Sequence, residues 1–291
     1  MSHDKGRDMS GAPTDTARAQ VAAGSTIAAL QIRPALDPLD NRILLCHALG
    51  LTRVSLITQS ERTLTDDEAQ RLSALIARRL AGEPIAYIVG QREFFGLPFA
   101  VGPAVLIPRP ETELLVELAL ERLPPSGSVL DMGTGSGAIA VALAHTRRDA
   151  AVTALDVSDA ALAVAGRNAS SNGVHVTFMR SDWYAALNTE RYDVIVSNPP
   201  YIASGDRHLS EGDLRYEPVG ALTDHADGLS ALRQIVAGAA RHLAPQGWLL
   251  MEHGYDQSAA VRALLADAGY DQVQSWADLA GIERVSGARL R

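Results

Sequence analysis

The chain has 291 residues, 47% of them hydrophobic, a formal charge of −8 and a single cysteine. That length calls for two unequal domains, and the acidic balance argues against a protein that grips nucleic acid by its phosphates. Lone Cys46 excludes an intrachain disulfide and a cysteine-built zinc site. No uncharged apolar run approaches the ~18 residues of a membrane span, so a cytoplasmic protein without membrane or metal is expected.

Residues 1–17 are polar, with Gly6, Gly11 and Pro13, and read as a disordered tail. Residues 18–90 read as a small helical domain. An alanine-rich helix runs from about Thr16 to Ile32 and closes at Pro34; a second is capped by Asp37 and stopped by Gly50. The third opens with the capping box Thr65-Asp66-Asp67-Glu68 and ends at Gly82 and Pro84. Residues 91–109 hold Phe94, Phe95, Leu97 and Phe99, broken by Gly96, Pro98, Gly102 and Pro103, which predicts a β-hairpin bridging two domains. Arg109 reads equally as a surface charge or a site-facing group. Pro110 suits the first turn of a helix carrying Leu114, Leu115 and Leu118.

From Ser128 to the end strand and helix alternate, so residues 110–291 predict an α/β domain with a doubly wound sheet. Strands are expected at Ser128–Leu130, Ala151–Leu155, Val174–Phe178, Val194–Val196, Trp248–Met251 and Asp271–Trp276. The last segment, Ile282–Arg291, is expected as an antiparallel edge.

The turn after the first strand reads Asp131-Met132-Gly133-Thr134-Gly135-Ser136-Gly137-Ala138. Its glycines let backbone approach a ligand closely, and helix N–H groups lie free for a carboxylate or phosphate. Gly133, Gly135 and Ala138 fit the relaxed dinucleotide fingerprint, which leaves NAD open. Asp131 fits S-adenosylmethionine better, because its carboxylate can hold an amino-acid ammonium and would repel a pyrophosphate. Asp156 ends the next strand, where an acid accepts ribose hydroxyls. Ser181-Asp182-Trp183 follows the third, placing a polar group and a stacking ring for adenine.

Val194 to Val196 end in Asn198-Pro199-Pro200-Tyr201. Each residue before a proline is held extended, and neither proline donates to a ladder. The Asn198 side-chain carbonyl and the Pro199 main-chain carbonyl can then converge beside the Tyr201 ring, a setting for a planar group bearing an NH2, either a carboxamide or the exocyclic amine of a base. His253 reads as structural.

Together these motifs resemble a class I S-adenosylmethionine-dependent methyltransferase, and more closely the N5-glutamine methyltransferase family of peptide chain release factors. Further matches are Ile107-Pro108-Arg109-Pro110-Glu111-Thr112-Glu113, Arg215-Tyr216-Glu217-Pro218, Glu252-His253-Gly254 and Arg284-Val285-Ser286-Gly287. The resemblance implies a Rossmann-like catalytic domain and methylation of the glutamine amide in the Gly-Gly-Gln loop of class I release factors, with S-adenosyl-L-homocysteine as product. It also implies that the helical domain helps to recognise that protein. The expected cofactor set is Asp131, Gly133, Thr134, Gly135, Ser136, Gly137, Asp156, Asp182, Trp183 and Asn198. Asn198, Pro199, Pro200 and Tyr201 are expected to hold substrate, with Asn198, Pro199 and Tyr201 catalytic. Four alternatives stand beside this reading: a ribosomal-protein glutamine methyltransferase, an adenine N6 DNA methyltransferase, a non-catalytic cofactor-binding module and a dehydrogenase. A monomer is the default.

Overall fold

A short β-branched run that ends in two prolines sits at the centre of the sheet. The computed structural model describes residues 18–32, 36–210 and 212–291, so the expected tail and Pro34 lie outside the described residues. The chain divides into two compact units, Met1–Val89 and Gly90–Arg291.

The first unit is helical: α1 (Ile27–Gln31), α2 (Pro38–Leu49), α3 (Arg53–Thr58), α4 (Asp66–Leu80) and α5 (Ile85–Val89). The alanine-rich stretch is not one helix. Gly24 turns at φ +76 and Thr26 then caps α1 by accepting from the Ala29 amide, a stop and a start in succession. Asp37 caps α2, and Gly50 ends it in the left-handed conformation. Thr65 and Glu68 cap α4 reciprocally. Leu44, Leu45, Leu72 and Ile76 form the centre of this unit's core. The short helices α3 and α5 were not expected, although Thr52 caps α3 by accepting from the Ser55 amide.

The second unit opens with the hairpin β1 (Gln91–Phe94) and β2 (Leu97–Ala100). Rather than standing as a linker, the hairpin packs into this unit. Phe94 and Phe99 are buried with Leu115 and Val116, and Asn168 both accepts from the Ala100 amide (2.8 Å) and donates to its carbonyl (3.1 Å). Pro110–Thr112 makes a 3-10 turn leading into α6 (Glu113–Arg122). There follow β3 (Ser128–Met132), α7 (Ala138–Thr146), β4 (Ala151–Asp156), α8 (Asp159–Ser171), β5 (Thr177–Arg180), β6 (Tyr192–Ser197), α9 (Val219–Leu222), α10 (Ser230–His242), β7 (Leu243–Glu252), α11 (Ser258–Asp267), β8 (Asp271–Ala277) and β9 (Glu283–Arg289).

The sheet order is β5-β4-β3-β6-β7-β9-β8, parallel through β7. The final strand is not the edge that was expected. β9 lies antiparallel between β7 and β8, and β8 forms the edge. Burial explains this: Val285, Ser286 and Ala288 are fully enclosed, whereas most of β8 faces outward. Gly287 meets β7 so closely that a Cβ would stand 2.5 Å from the Leu249 carbonyl. Residue alternation gives the sheet two apolar faces. Val129, Val194 and Leu250 pack on the α6–α7 side, and Leu130, Ile195 and Leu249 on the α10–α11 side. At the end of α6 the Arg122 guanidinium lies 4.6 Å from the ring centres of both Trp248 and Trp276, a cation–π clamp across the sheet worth on the order of 1 kcal/mol.

Candidate active site

The sheet order reverses between β3 and β6, and a doubly wound sheet opens its crevice at that point beyond the strand ends. Met132 pairs with Ser197 in register, so Gly133 and Asn198 are the first residues past the pairing on neighbouring strands. The glycine loop and the proline corner therefore leave the sheet side by side.

The amides of Gly133 and Thr134 both donate to the Leu155 carbonyl at 2.9 Å, pinning the loop to β4. Gly133 (φ +72) and Gly135 (φ +55) have open space where a Cβ would stand, and both line a cavity of about 310 Å³. Ser136 and Gly137 do not line it. Ser136 is buried with its carbonyl accepting from Asn168, and Gly137 starts α7 pressed against Ala165. A Cβ at Gly137 would meet that of Ala165 at 3.0 Å, at φ +81. Gly137→Val is thus expected to lower the melting temperature, at a cost of ~1–3 kcal/mol from backbone strain alone; thermal unfolding checks it, and an unchanged midpoint would refute the packing role.

Asp131 lies wholly buried beneath the loop. Its Oδ2 accepts from the Thr134 hydroxyl at 2.6 Å, and its Oδ1 has no hydrogen-bond partner among the described residues. Burial pushes this carboxyl up to about 7, against the pull of the Thr134 hydroxyl and the Ala140 amide. Asp131 does not itself line the cavity, but it lies directly beneath the loop that does, and an orphaned buried carboxylate oxygen there leaves an acceptor that a cationic donor such as an ammonium group would satisfy.

Asp156 lines the cavity with its Oδ2 accepting from the Gly135 amide (2.9 Å) and its Oδ1 from Ser158 (2.9 Å). Asp182 and Trp183 also line the cavity, Trp183 at φ +48 in the left-handed region, where side chains are rarely held. Ser181 is buried and bonds the Trp183 carbonyl at 2.6 Å, fixing that turn. Val105, Leu106, Gly220 and Ala221 also line the cavity, and none of them was expected as a ligand residue. Glu217 ties these segments together. Its buried carboxylate accepts from the Ile107 amide at 3.0 Å and pairs with Arg109. Arg109 is therefore engaged in loop closure. The available signal was Arg215-Tyr216-Glu217-Pro218, itself one of the matched stretches.

Asn198 is half-buried and donates through Nδ2 to the Thr112 hydroxyl at 3.2 Å. Among the described residues no donor reaches Asn198 Oδ1 or the Pro199 carbonyl. The Tyr201 hydroxyl donates to Glu252 Oε1 at 3.3 Å, while the Gln257 side chain donates to the Tyr201 carbonyl at 3.0 Å. Burial raises the Tyr201 phenol, so it remains a donor. Glu252 is enclosed, and burial lifts its carboxyl to about 7 against hydrogen bonding from Thr112 and Tyr201. His253 is fully buried too, between the Gly254 carbonyl and Ser286 Oγ, both at 2.8 Å, and burial lowers its basicity. It braces β9 and does not reach the cavity wall.

Among the described residues no helix is long and apolar enough to cross a membrane. The family model of the PrmC N-terminal domain matches residues 27–90, and that of the methyltransferase small domain matches residues 110–211. The chain is 58% identical over 275 residues to a release factor glutamine methyltransferase of Burkholderia pseudomallei (strain K96243), covering 91% of this chain and 96% of that protein. With the one of Neisseria gonorrhoeae (strain ATCC 700825 / FA 1090) identity is 52%, over 86% of this chain and 93% of that protein. Among solved structures, a methyltransferase from Pyrococcus furiosus shares the fold at TM-score 0.52 and 22% identity, covering 75% of this chain and 98% of that one. With its α/β sheet, its glycine loop and its Asn-Pro-Pro-Tyr corner, the chain belongs to the release factor glutamine methyltransferase family.

Proposed function

We propose that this enzyme transfers the methyl group of S-adenosyl-L-methionine to the side-chain amide nitrogen (N5) of the glutamine in the Gly-Gly-Gln motif of class I peptide chain release factors. The observation that carries the reading is the pair of unused carbonyl oxygens, on Asn198 and Pro199, one residue beyond the strands that also deliver the glycine loop. The orphaned Asp131 Oδ1 fits the ammonium of the methionine moiety, Asp156 the ribose hydroxyls, and Asp182 with Trp183 the adenine. When bound, S-adenosyl-L-methionine supplies an electrophilic sulfonium methyl and leaves as S-adenosyl-L-homocysteine.

A carboxamide nitrogen is a poor nucleophile because its lone pair is delocalised into the carbonyl. Asn198 Oδ1 and the Pro199 carbonyl accept its two hydrogens, orienting the nitrogen and drawing its lone pair out of conjugation as the C–N bond forms. Tyr201 packs on the amide plane. The nitrogen becomes strongly acidic once methylated, so it sheds its proton to water without a strong base. Most of the acceleration comes from holding two groups in line in a water-poor pocket. The helical first unit contributes recognition of the release factor.

The test is methyl transfer from labelled S-adenosyl-L-methionine to a purified release factor, beside the same factor with its Gly-Gly-Gln glutamine changed to alanine. Label on the first alone is expected. Label on both, or on neither with cofactor bound, would move the acceptor elsewhere.

A further inference from the structure

We infer that Gln257 is a positioning residue for Tyr201: its side-chain amide fixes the main chain from which the Tyr201 ring is presented to the acceptor amide. The inference deepens the glutamine-methylating reading above and rests on it. Gln257 stands at the start of α11, where a short polar side chain capping the helix's own amides is favoured, yet it makes no such cap. Its side chain turns to the proline corner instead.

A glutamine amide offers an acceptor oxygen and two N–H hydrogens, and here all three are used. The Gly254 amide donates to Oε1 at 2.9 Å, while Nε2 donates to the Tyr201 carbonyl at 3.0 Å and to the Gly228 carbonyl at 3.2 Å. A main-chain N–H cannot accept and a carbonyl cannot donate, so the side-chain amide has one satisfied orientation. Gly254 is itself anchored, its carbonyl accepting from His253 Nδ1 at 2.8 Å. Two glycines make room for the side chain. A Cβ on Gly228 would stand 2.8 Å from Nε2 and 2.5 Å from the Tyr201 carbonyl, and one on Gly254 would stand 3.1 Å from Oε1. Gly228 is further held at φ +80, its amide donating to Asp224 Oδ1 at 3.0 Å.

The junction ties three segments together: the proline corner after β6, the return of the same chain into α10, and the turn between β7 and α11. Tyr201 is thereby held at both ends, by Gln257 at its carbonyl and by Glu252 at its hydroxyl. The ring between those two contacts is the one assigned to the acceptor amide. The cofactor wall has other ties. Pro218, Gly220 and Ala221 are secured by Glu217 on the Ile107 amide and Arg109, and by the Ile202 amide on the Leu222 carbonyl at 3.0 Å. Loss of the two Nε2 donors should therefore reach the acceptor side of the reaction and spare cofactor binding.

The experiment is single-turnover methyl transfer to a release factor on enzyme saturated with S-adenosyl-L-methionine, with Gln257→Glu and Gln257→Met each made in the wild type and in Tyr201→Ala. Glutamate keeps the shape and the acceptor for Gly254 but removes both donors; methionine removes all three polar contacts at similar volume. In the wild-type background both should lower the rate roughly 10- to 100-fold, the scale of a reacting group displaced by about 1 Å. Cofactor dissociation constants, and the release factor concentration giving half the maximal rate, should stay within about twofold. Tyr201→Ala keeps the main-chain carbonyl and loses the ring, so in that background the same substitutions should cost less than about twofold, as residues acting through one group are not additive. The full loss in both backgrounds, a wild-type rate in either Gln257 variant, or a loss confined to cofactor affinity overturns the inference and leaves the reaction intact. Absence of transfer by the wild type overturns the functional reading and the inference with it.

Discussion

Asn198→Ala is expected to lose methyl transfer by roughly 10²–10³-fold, the scale seen when one preorganised polar group is removed from the reacting atoms of an enzyme. Cofactor affinity should change little, because the Asn198 side chain contacts Thr112 and leaves the cavity wall to the glycine loop and the ends of β4 and β5. Folding should be nearly unaffected, since the side chain is only half-buried and makes one hydrogen bond. The decisive comparison is transfer rate against cofactor dissociation constant on the same preparation. A fall in both by the same factor would make Asn198 a cofactor ligand instead, and an unchanged rate would sink the acceptor role.

Asp131→Asn is the second large effect, and its two consequences have opposite signs. Removing the carboxylate that meets a buried ammonium should weaken S-adenosyl-L-methionine binding by about 10²–10³-fold, the ~3–5 kcal/mol of a broken buried charge pair. The ligand-free protein should gain stability. The Asp131 carboxyl titrates at about 7 when folded and at ~3.9 when unfolded. Between those values the folded chain holds a proton that the unfolded chain has lost, so this group subtracts increasing stability as the pH rises through that window. The variant's advantage in melting temperature should therefore grow from about pH 4 to about pH 7 and vanish below both pKa values. Calorimetric titration with cofactor and melting curves across pH measure the two effects separately. Unchanged affinity would end the ammonium assignment; a variant less stable at every pH would show that the Thr134 hydrogen bond outweighs the buried charge.

The parts legible in the sequence were those with a local physical cause. The capping box at Thr65, the stop at Gly50 and the Pro-Pro corner each act within a few residues, and each stands where expected. The four candidate ligand stretches all fall at the ends of adjacent strands, because a strand–helix alternation fixes that edge of a parallel sheet. Misreadings had two causes, a local helix closure and long-range packing. β5 begins at Thr177, not Val174, because the Val174 amide closes α8 by donating to the Ala169 carbonyl. β9 looked like an edge because small residues such as Gly287 carry no hydrophobic signal, although they are what lets two neighbours approach. Thr112, Glu217 and Glu252 lie in matched motifs, but their burial and their partners could not be read from them. A buried hydroxyl or carboxylate differs from a solvated one only by residues 50 to 110 positions away, a separation no local pattern encodes.

The Arg122 clamp also sorts the protein's light emission. The chain has three tryptophans, and two of them, Trp248 and Trp276, are held against one guanidinium with ring centres 6.4 Å apart. Their emission reports on the integrity of the sheet and should stay constant until it unfolds. Trp183 stands alone on the cavity wall. A change of intrinsic fluorescence in the folded protein is therefore a signal from that one indole, and the enzyme carries a label-free optical reporter of what occupies its cavity.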